Sequence, residues 1–308
     1  MLYNKIVETL KNPWKLFYLA AAQGHFTRMP DNQYLKCMFR ARMGRKLDLD
    51  NPQTFNEKLQ WLKLHDRRPE YTIMVDKYKV RDYIADKLGE EYLIPLLGVW
   101  DDPDEIDFDA LPDQFVLKCN HNSGLGMCIC KDKSKLDVQK VKEELRKGLK
   151  QDYYLTGREW PYKNVPRKII CEKYMVDESG YELKDYKFYC FNAKVRLVMI
   201  NSDRMSNEKT KADYFDENFS HLDFTWGYEN AKVTPQKPNN FENMKELAEK
   251  LANGIPQVRV DFYQTPAGIF FGELTFFDGS GFDSFNPVEW DYKMGSMIRL
   301  PQKRKMRK

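Results

Sequence analysis

Paired strand signals constrain this chain more than any other feature. Residues 186–200, "YKFYCFNAKVRLVMI", are rich in aromatic and β-branched residues on both sides of Asn192 and Ala193, which predicts two strands joined by a tight turn. Residues 257–279 repeat this pattern around a Pro-Ala-Gly turn. Strands joined by such short turns are antiparallel neighbours. We therefore predict an α+β fold with antiparallel sheets, not a parallel Rossmann-type sheet.

A further strand pair and several helices complete the predicted elements. Residues 114–120 and 126–132 are both strand-like and are separated by a short loop. Thr54 and Glu57 have the spacing of a capping box, which predicts the start of a helix. Residues 201–240 are interpreted as a loop-rich stretch. Helical periodicity predicts helices within 1–45 and at about 77–88, 138–150 and 241–254.

Composition excludes several classes of protein. The 308 residues include 50 Lys and Arg against 46 Asp and Glu, a balance that argues against a nucleic-acid-binding protein. Hydrophobic residues make up 42% of the chain, enough for one large domain or two to three lobes. The basic tail, residues 301–308, is a local exception. We interpret it as a solvated terminus, with contact to anionic lipid or another polyanion as the alternative.

The predicted location is the cytoplasm. Six cysteines without a CxxC pair are interpreted as reduced, mostly buried thiols. The start of the chain lacks the pattern of a signal peptide, and no apolar run approaches the roughly 20 residues that span a bilayer. The aromatic and basic content of the first 45 residues would also suit peripheral contact with the inner face of a membrane. Packing onto the protein's own body is the simpler interpretation.

A glycine-containing loop follows the strand predicted at 114–120. It reads "KCNHNSGLGM" from Lys118 to Met127. Gly124 and Gly126 would let backbone N–H groups approach a phosphate, and Lys118 would reach the same anion from the end of the strand. The motif is neither a Walker A loop nor a GxGxxG turn. On its own it is also typical of an ordinary hairpin.

Two acidic residues are predicted to face each other on neighbouring strands. Arg259 and Asp261 share one strand face because side chains alternate, and the return strand brings Glu273 beside them. Two carboxylates this close need a cation between them, and Mg²⁺ bound to nucleotide phosphates is one such cation. A cross-strand salt bridge from Arg259 to either acid is the alternative.

The segment "IICEKYM", residues 169–175, begins as a buried strand and ends on a charged pair. Ile169 to Cys171 suit a covered sheet, whereas Glu172 and Lys173 do not continue into a core. We interpret the segment as a strand that ends at a bound ligand. A strand end exposed to solvent is the alternative.

Together these segments resemble the ATP-grasp superfamily and, within it, the TupA-like (teichuronopeptide biosynthesis) proteins of cell-surface polysaccharide loci. The resemblance covers about residues 51–301. It depends on the order and spacing of the blocks "VDKYKVRDYIADKLG", "FVLKCNHNSGLGMCI", "IICEKYM", "KDYKFYCFNAKVRLV", "VRVDFY" and "FFGELTFFDGSGFDSFNPVEWDYKMGS".

The resemblance implies two α+β lobes with antiparallel sheets that clasp ATP, preceded by a helical N-terminal region. The implied segments are a helical region at 1–50, a lobe preceding the ATP-grasp unit at 51–112, a small nucleotide-binding lobe at 113–174, a C-terminal lobe with the metal site at 175–300, and a basic tail at 301–308.

The resemblance also implies which residues bind ATP. They are Lys118 for the phosphates, Asn122, Ser123, Gly124, Gly126 and Met127 for the closing loop, Glu172, Lys173, Tyr174 and Met175 for adenine, and Asp185 for the ribose. A further basic residue would reach the γ-phosphate, and Arg204, Lys209 and Lys211 remain open for this role.

Magnesium, as two ions, is the second implied cofactor. Asp261 and Glu273 would be its ligands, and Arg259 would be the catalytic arginine that stabilises the developing oxyanion. Thr275 stands where such ligases usually carry asparagine and would be the third ligand, through a neutral oxygen. Asp278 or water could take that place.

The implied activity is that of an ADP-forming carboxylate–amine ligase. ATP would phosphorylate a carboxylate, and an amine would then displace phosphate. The implied partners are an amino acid or other amine and a uronic acid carried by a sugar nucleotide or a lipid-linked glycan, with no nucleic acid. Ser280, Gly281 and Phe282, just past Glu273, are predicted to bind substrate.

Three other functions remain open at this stage. The first is a glycosyltransferase of capsule or lipopolysaccharide biosynthesis, in which Asp203 and the two-acid site would bind a metal and a nucleotide sugar. The second is an ATP-grasp kinase that phosphorylates a sugar hydroxyl. The third is a non-catalytic nucleotide-binding module, which the lysine, arginine and acid set does not favour.

Overall fold

The computed structural model describes residues 13–202 and 210–302. Its α-helices are Pro13–Ala22 (α1), Asp31–Met43 (α2), Phe55–His65 (α3), Glu70–Val75 (α4), Val80–Lys87 (α5), Val138–Lys150 (α6), Tyr154–Gly157 (α7), Phe241–Leu251 (α8) and Glu289–Met297 (α9). Its strands are Leu96–Trp100 (β1), Phe115–Cys119 (β2), Met127–Cys130 (β3), Ile169–Lys173 (β4), Asp185–Phe191 (β5), Lys194–Ser202 (β6), Lys211–Phe215 (β7), His221–Leu222 (β8), Thr225–Trp226 (β9), Gln257–Thr265 (β10), Gly268–Thr275 (β11) and Phe285–Asn286 (β12).

The smaller of the two main sheets has the antiparallel order β1-β4-β2-β3. Helix α6 packs on it, and Leu117, Leu145 and Ile169 belong to the apolar cluster between them. Strand β1 pairs with β4, with Trp100 opposite Ile169. The segment boundary predicted at residue 112 therefore falls inside a hydrogen-bonded sheet, because β1 comes from the segment before that boundary.

The larger sheet has the order β11-β10-β5-β6-β7-β8 and is antiparallel throughout. Its central hairpin turns at Asn192 and Ala193, whose φ angles of 49° and 66° are those of a tight hairpin turn. The predicted α+β class with antiparallel sheets is confirmed. The helices predicted at 77–88, 138–150 and 241–254 are confirmed as α5, α6 and α8.

The stretch 201–240, interpreted as loop-rich, also contains strand β7, which pairs with β6 and β8. Asp213 at its centre is buried, with His221 Nε2 3.0 Å away and the N–H of Ala231 donating to its other oxygen. A buried acid interrupts the apolar pattern of a strand, and only the folded protein supplies the partners that satisfy it.

Helix α3 begins with the predicted capping box. Thr54 Oγ1 accepts a hydrogen bond from the N–H of Glu57, and the Glu57 carboxylate accepts one from the N–H of Thr54. Phe55 and Leu59 of this helix are fully buried in the main core, which also holds the inner side chains of β5, β6, β10 and α8. The helix packs against α9 and against the 3₁₀ turn Asp278–Gly281 that follows β11.

The N-terminal helices form a separate apolar cluster with Phe282, which follows the turn after β11. Tyr34, Leu35 and Phe39 of α2 pack there with Phe282. No helix in residues 13–202 and 210–302 is both long enough and apolar enough to cross a bilayer. The six cysteines all lie in the described ranges and are unpaired, as predicted. The expectations for residues 1–12 and 303–308 fall outside the described residues.

The contact between the glycine loop and α6 yields a stability test. Alanine at Gly126 would place Cβ 2.8 Å from Gly148 Cα and 2.7 Å from Cys119 Sγ. We expect Gly126→Ala to lower the free energy of unfolding by about 2–4 kcal/mol, from overpacking and from its left-handed backbone. The control is Gly124→Ala, because Gly124 has a similar φ of +82° but no atom within 4 Å of its Cβ position. Equal losses for the two variants in urea unfolding would rule out the packing role of Gly126.

Candidate active site

A cavity of about 290 Å³ lies between the two main sheets, where β4 leads into the larger lobe. Tyr263 of β10 lines it together with residues from β2, β3 and β4, so both lobes contribute to its wall. Six residues predicted to bind ATP line this one cavity, namely Lys118, Met127, Glu172, Lys173, Tyr174 and Met175. The sequence prediction did not include Ile94, Val116, Ile129, Glu182, Leu183 and Tyr263, which complete the wall.

The charged pair at the end of β4 occupies two different environments. Glu172 is buried, and its carboxylate lies 2.6 Å from Lys118 Nζ and 3.6 Å from Arg81 Nη1. Lys173 is exposed at the cavity wall. The strand therefore ends at a cavity with a buried ion pair, and not at a strand end surrounded by solvent.

The glycine loop contacts both a cavity and helix α6. Ser123 lines a second cavity, described below. The side-chain amide of Asn122 instead donates to the carbonyl of Gly148 in α6, at 3.2 Å. Gly126 also packs against Gly148. Because Gly126 has no Cβ atom, the loop can lie this close to α6. Phosphate contact by Asn122, Gly124 and Gly126 stays a prediction.

The second cavity, of about 390 Å³, has a mainly polar wall over the larger sheet. Arg259 and Glu273, both predicted, line it beside Lys187 and Asp278. Its remaining wall residues are Ser123, Tyr189, Met199, Asn201, Thr210, Tyr214, Trp226, Gly227, Tyr228, Gly279 and Asp283. The cavity thus places cationic and anionic side chains from β5, β10, β11 and the following turn side by side.

Arg259 is the centre of the charges in this cavity. Its guanidinium contacts both carboxylate oxygens of Asp261 at 2.7 and 2.8 Å. It also contacts Glu273 Oε1 and Asp278 Oδ1, each at 2.7 Å. Burial alone would lower the pKa of Arg259, but Asp261 and Asp278, with Tyr189 and Glu273, hold it well above its ordinary value. The cross-strand salt bridge considered from the sequence is therefore present, as part of a larger network.

Asp261 and Glu273 are directly opposite each other in the register of β10 and β11, as the strand alternation predicted. Burial raises the pKa of Glu273, but Lys77, Arg259 and Lys187 outweigh it and lower that pKa to about 2. Glu273 is therefore ionised at neutral pH. Its side chain is 36% exposed, which leaves it accessible from the cavity.

The carboxylates fit a magnesium ion in part. Glu273 is negatively charged and accessible from the cavity. Thr275 Oγ1 donates a hydrogen bond to Glu273 Oε1 at 3.1 Å, which orients the carboxylate. Asp261 is buried, and both its oxygens are bonded to Arg259 and Lys187. Asp261 would join a magnesium site only if one of those cations turned away. Among the described residues, no three His, Cys, Asp or Glu side chains are arranged to hold a metal ion.

Two lysines that the sequence analysis missed connect these elements. Lys187 Nζ lies 2.5 Å from Asp261 Oδ2 and 3.5 Å from Asp185 Oδ2. Lys77 Nζ donates to the carbonyl of Asn122 at 2.7 Å and lies 3.9 Å from Glu273 Oε2. Strand alternation in "KDYKFY" could have identified Lys187, since it places that lysine on the same face as Asp185. No local pattern in the sequence indicates Lys77.

Other predicted site residues lie outside the two cavity walls. Asp185 is buried beside Lys187 and lines neither cavity, so its ribose role stays a prediction. Lys211 Nζ pairs with Glu229 at 2.7 Å. Arg204, Lys209 and Asp203 lie outside the described residues. The choice of a γ-phosphate residue therefore stays open.

The predicted substrate residues are held against helices. Gly281 packs on α3, and Phe282 is buried with an edge-to-face contact to Phe39 at 6.4 Å. Ser280 Oγ donates to Glu159. These three residues thus support the turn, and its cavity-lining residues are Asp278 and Gly279, followed by Asp283.

The position of Lys77 yields a binding test. Burial lowers the pKa of Lys77, and Glu273 raises it while Lys118 lowers it, so charges from both cavities act on this lysine. We expect Lys77→Met to raise the Kd for Mg-ATP by about 10- to 100-fold, because a charge-assisted contact is lost. The control is Lys79→Met, which removes an exposed lysine two positions away. An unchanged Kd for Lys77→Met in isothermal titration calorimetry would remove Lys77 from the nucleotide site.

Comparisons with known proteins give similar solved structures and one matching family model. Among solved structures, the D-alanine–D-alanine ligase of Helicobacter pylori is 14% identical, covers 80% of this chain and 69% of its own, and gives a TM-score of 0.45. The ATP complex of the Bacillus anthracis D-alanine–D-alanine ligase is 13% identical, with 66% and 54% covered and a TM-score of 0.39. The ATP-grasp ligase PsnB, complexed with its minimal precursor, is 10% identical, with 68% and 54% covered and a TM-score of 0.39.

The chain therefore spans between about half and about two thirds of the length of these structures. Curated proteins give no match to this sequence. The sequence model of the TupA-like ATP-grasp family matches residues 57–299, which include both main sheets and both cavities. This protein belongs to the TupA-like ATP-grasp family.

Proposed function

We propose that this protein is an ATP-dependent ligase that joins a carboxylate to an amine and releases ADP and phosphate. The observation that carries the proposal is that Lys77 lies beside charged residues of both cavities. Lys77 is bonded to the glycine loop and lies 3.9 Å from Glu273 of the polar cavity, while Lys118 and Glu172 of the other cavity are its charged neighbours. A nucleotide bound across this lysine would have its base in one cavity and its terminal phosphates in the other.

The cavity beside β4 suits the nucleoside. Its apolar wall includes Val116, Ile129 and Met175, which would cover the two faces of a purine ring. Glu172 is held by Lys118 at 2.6 Å, and its carboxylate can accept from an exocyclic amino group. Lys118 can in turn donate to the phosphate that follows the ribose.

The polar cavity suits the transfer of a phosphoryl group. ATP and a carboxylate substrate repel each other, so a site that assembles both needs fixed positive charge. Lys77, Lys187 and Arg259 supply that charge, and the acids around Arg259 keep its guanidinium in one orientation. Magnesium, when bound, would neutralise phosphate charge, held by Glu273 and by Asp261 once a cation releases it.

The proposed reaction has two steps. In the first, an oxygen of the substrate carboxylate attacks the γ-phosphorus, the bond to the β–γ bridging oxygen breaks, and ADP leaves with the acyl phosphate retained. In the second, the amine attacks the acyl carbon and loses a proton, and inorganic phosphate leaves. Arg259, on the cavity wall, would stabilise the negative charge that develops on the acyl oxygen in this step.

The proposed substrates are an amino acid or peptide amine and a uronic acid carried by a sugar nucleotide or a lipid-linked glycan. Asp278 and Asp283 form an acidic part of the polar cavity, which would attract the ammonium form of an amine. Tyr228 lines the same cavity, is 49% exposed and offers a flat face to a sugar ring. These features support the substrate classes without selecting one amino acid or one sugar.

Product analysis tests the proposal. We expect Mg-ATP, an amino-acid pool and a uronic-acid donor to yield ADP and phosphate in equal amounts, and only when both substrates are present. The amide product would be identified by mass spectrometry. Release of ADP without free phosphate would instead indicate a kinase, and release of UDP from a nucleotide sugar would indicate a glycosyltransferase. Either result would overturn the proposal.

A conservative change at the proposed metal ligand gives a second test. We expect Glu273→Gln to lower turnover at least about 100-fold, because the amide is a poor magnesium ligand and no longer balances Arg259. Thermal unfolding should show that the variant still folds. The control is Glu289→Gln, the same change at an exposed position in α9. Wild-type turnover in Glu273→Gln would exclude Glu273 as a metal ligand.

A further inference from the structure

Helix α1 carries an apolar surface that the described part of the protein leaves exposed. Its ten residues, "PWKLFYLAAA", include a single charged residue, Lys15, and none of the ten is buried. Trp14, Leu16, Tyr18 and Leu19 are each between 37% and 45% exposed. Clustered exposure of large apolar side chains is typical of an interaction surface.

One stripe of α1 attaches it to the protein. Phe17 stacks on Phe26 with ring centroids 4.5 Å apart and lies 5.9 Å from Tyr34 of α2. Ala21 packs against the same cluster. At 100° per residue, Leu16 and Leu19 lie on the sides of α1 away from this stripe, whereas Trp14 and Tyr18 lie at its edge. The helix therefore presents Leu16 and Leu19 to solvent from a fixed position.

The sequence segment that contains α1 and α2 has an excess of basic residues. The chain as a whole is nearly balanced, with 50 basic and 46 acidic residues. Residues 13–43 instead contain five basic residues and one acidic residue, Asp31. Asp31 is neutralised by Arg67 at 2.6 Å. The basic residues are Lys15, Arg28, Lys36, Arg40 and Arg42.

An apolar and aromatic helix within a basic segment of the chain matches the two layers of an anionic lipid surface. Tryptophan and tyrosine favour the level of the headgroups, leucine the acyl boundary below it, and basic side chains the lipid phosphates. A second copy of the chain fits less well, because a symmetric dimer would bring two positive surfaces together. We propose that α1 is a docking helix that binds this protein to an anionic lipid bilayer.

The docking surface is connected to the polar cavity by one side chain. The guanidinium of Arg42 lies 5.5 Å from the centroid of the Tyr18 ring and pairs with Asp283 at 3.0 Å. Asp283 lines the polar cavity. Docking through α1 therefore brings that cavity near the membrane surface, where a lipid-linked substrate would be presented. This consequence, unlike the docking itself, rests on the proposed function.

Vesicle flotation tests the docking. We expect the full chain to float with vesicles of phosphatidylglycerol and phosphatidylcholine, not with phosphatidylcholine alone, and to be released by salt. Leu16→Glu combined with Leu19→Glu should weaken binding at least about tenfold. The control combines Ile73→Glu with Val233→Glu, which adds the same charge at exposed apolar positions elsewhere, 50% and 83% exposed. This control should bind nearly as the wild type does.

A second readout locates the helix. Brominated lipids should quench part of the tryptophan fluorescence of the wild type, and Trp14→Phe should remove that part. The proposal is overturned if the wild type does not float, or if both double variants lose binding equally. It is also overturned if the wild type is a dimer that only the α1 variant dissociates. Turnover of soluble substrates by the α1 variant is measured separately, so failure of the ligase proposal would leave the docking result intact.

Discussion

Three carboxylates converge on one buried guanidinium, and the charged face of the larger sheet depends on this pairing. Arg259 contacts Asp261, Glu273 and Asp278 at 2.7 to 2.8 Å. Removing an arginine from water costs several kcal/mol unless its hydrogen bonds are made by well-placed anions. Since the anions come from β10, β11 and the turn after β11, the network also fixes these three segments relative to one another. Lys187 Nζ also contacts the carboxylate of Asp261 and places a second positive charge beside it.

The turn that carries Asp278 is supported from helix α3. Gly279 and Ser280 have φ angles of 55° and 53°, a backbone conformation that is unfavourable for serine. Lys63 Nζ donates to the carbonyl oxygens of Ser280 and Gly157, each at 2.7 Å. Burial lowers the pKa of Lys63 to about 7, and the amine remains a donor in either protonation state. The position of Asp278 in the cavity therefore depends on a helix far away in the chain.

Several features of the site follow from short-range rules and could be predicted. Strand alternation and a short turn place Asp261 opposite Glu273, and the register of β10 and β11 agrees. The unusual ending of "IICEKYM" indicates a ligand site, and Glu172 lies on a cavity wall. The capping box at Thr54 marks the start of α3. Each of these predictions depends on residues that are neighbours in the chain or across one hairpin.

What the amino-acid sequence determined by itself is most of the main strands and helices, the antiparallel pairing within hairpins and the family. Only the tertiary structure decided that Lys77 contacts the glycine loop and approaches Glu273, that Gly126 packs on α6, and that Phe282 is buried against Phe39. It also decided that Asp213 is tolerated inside a strand. The physical reason is the sequence separation over which each effect acts. Backbone geometry acts between residues that are close in the sequence, whereas burial and charge pairing depend on partners brought together from distant parts of the chain.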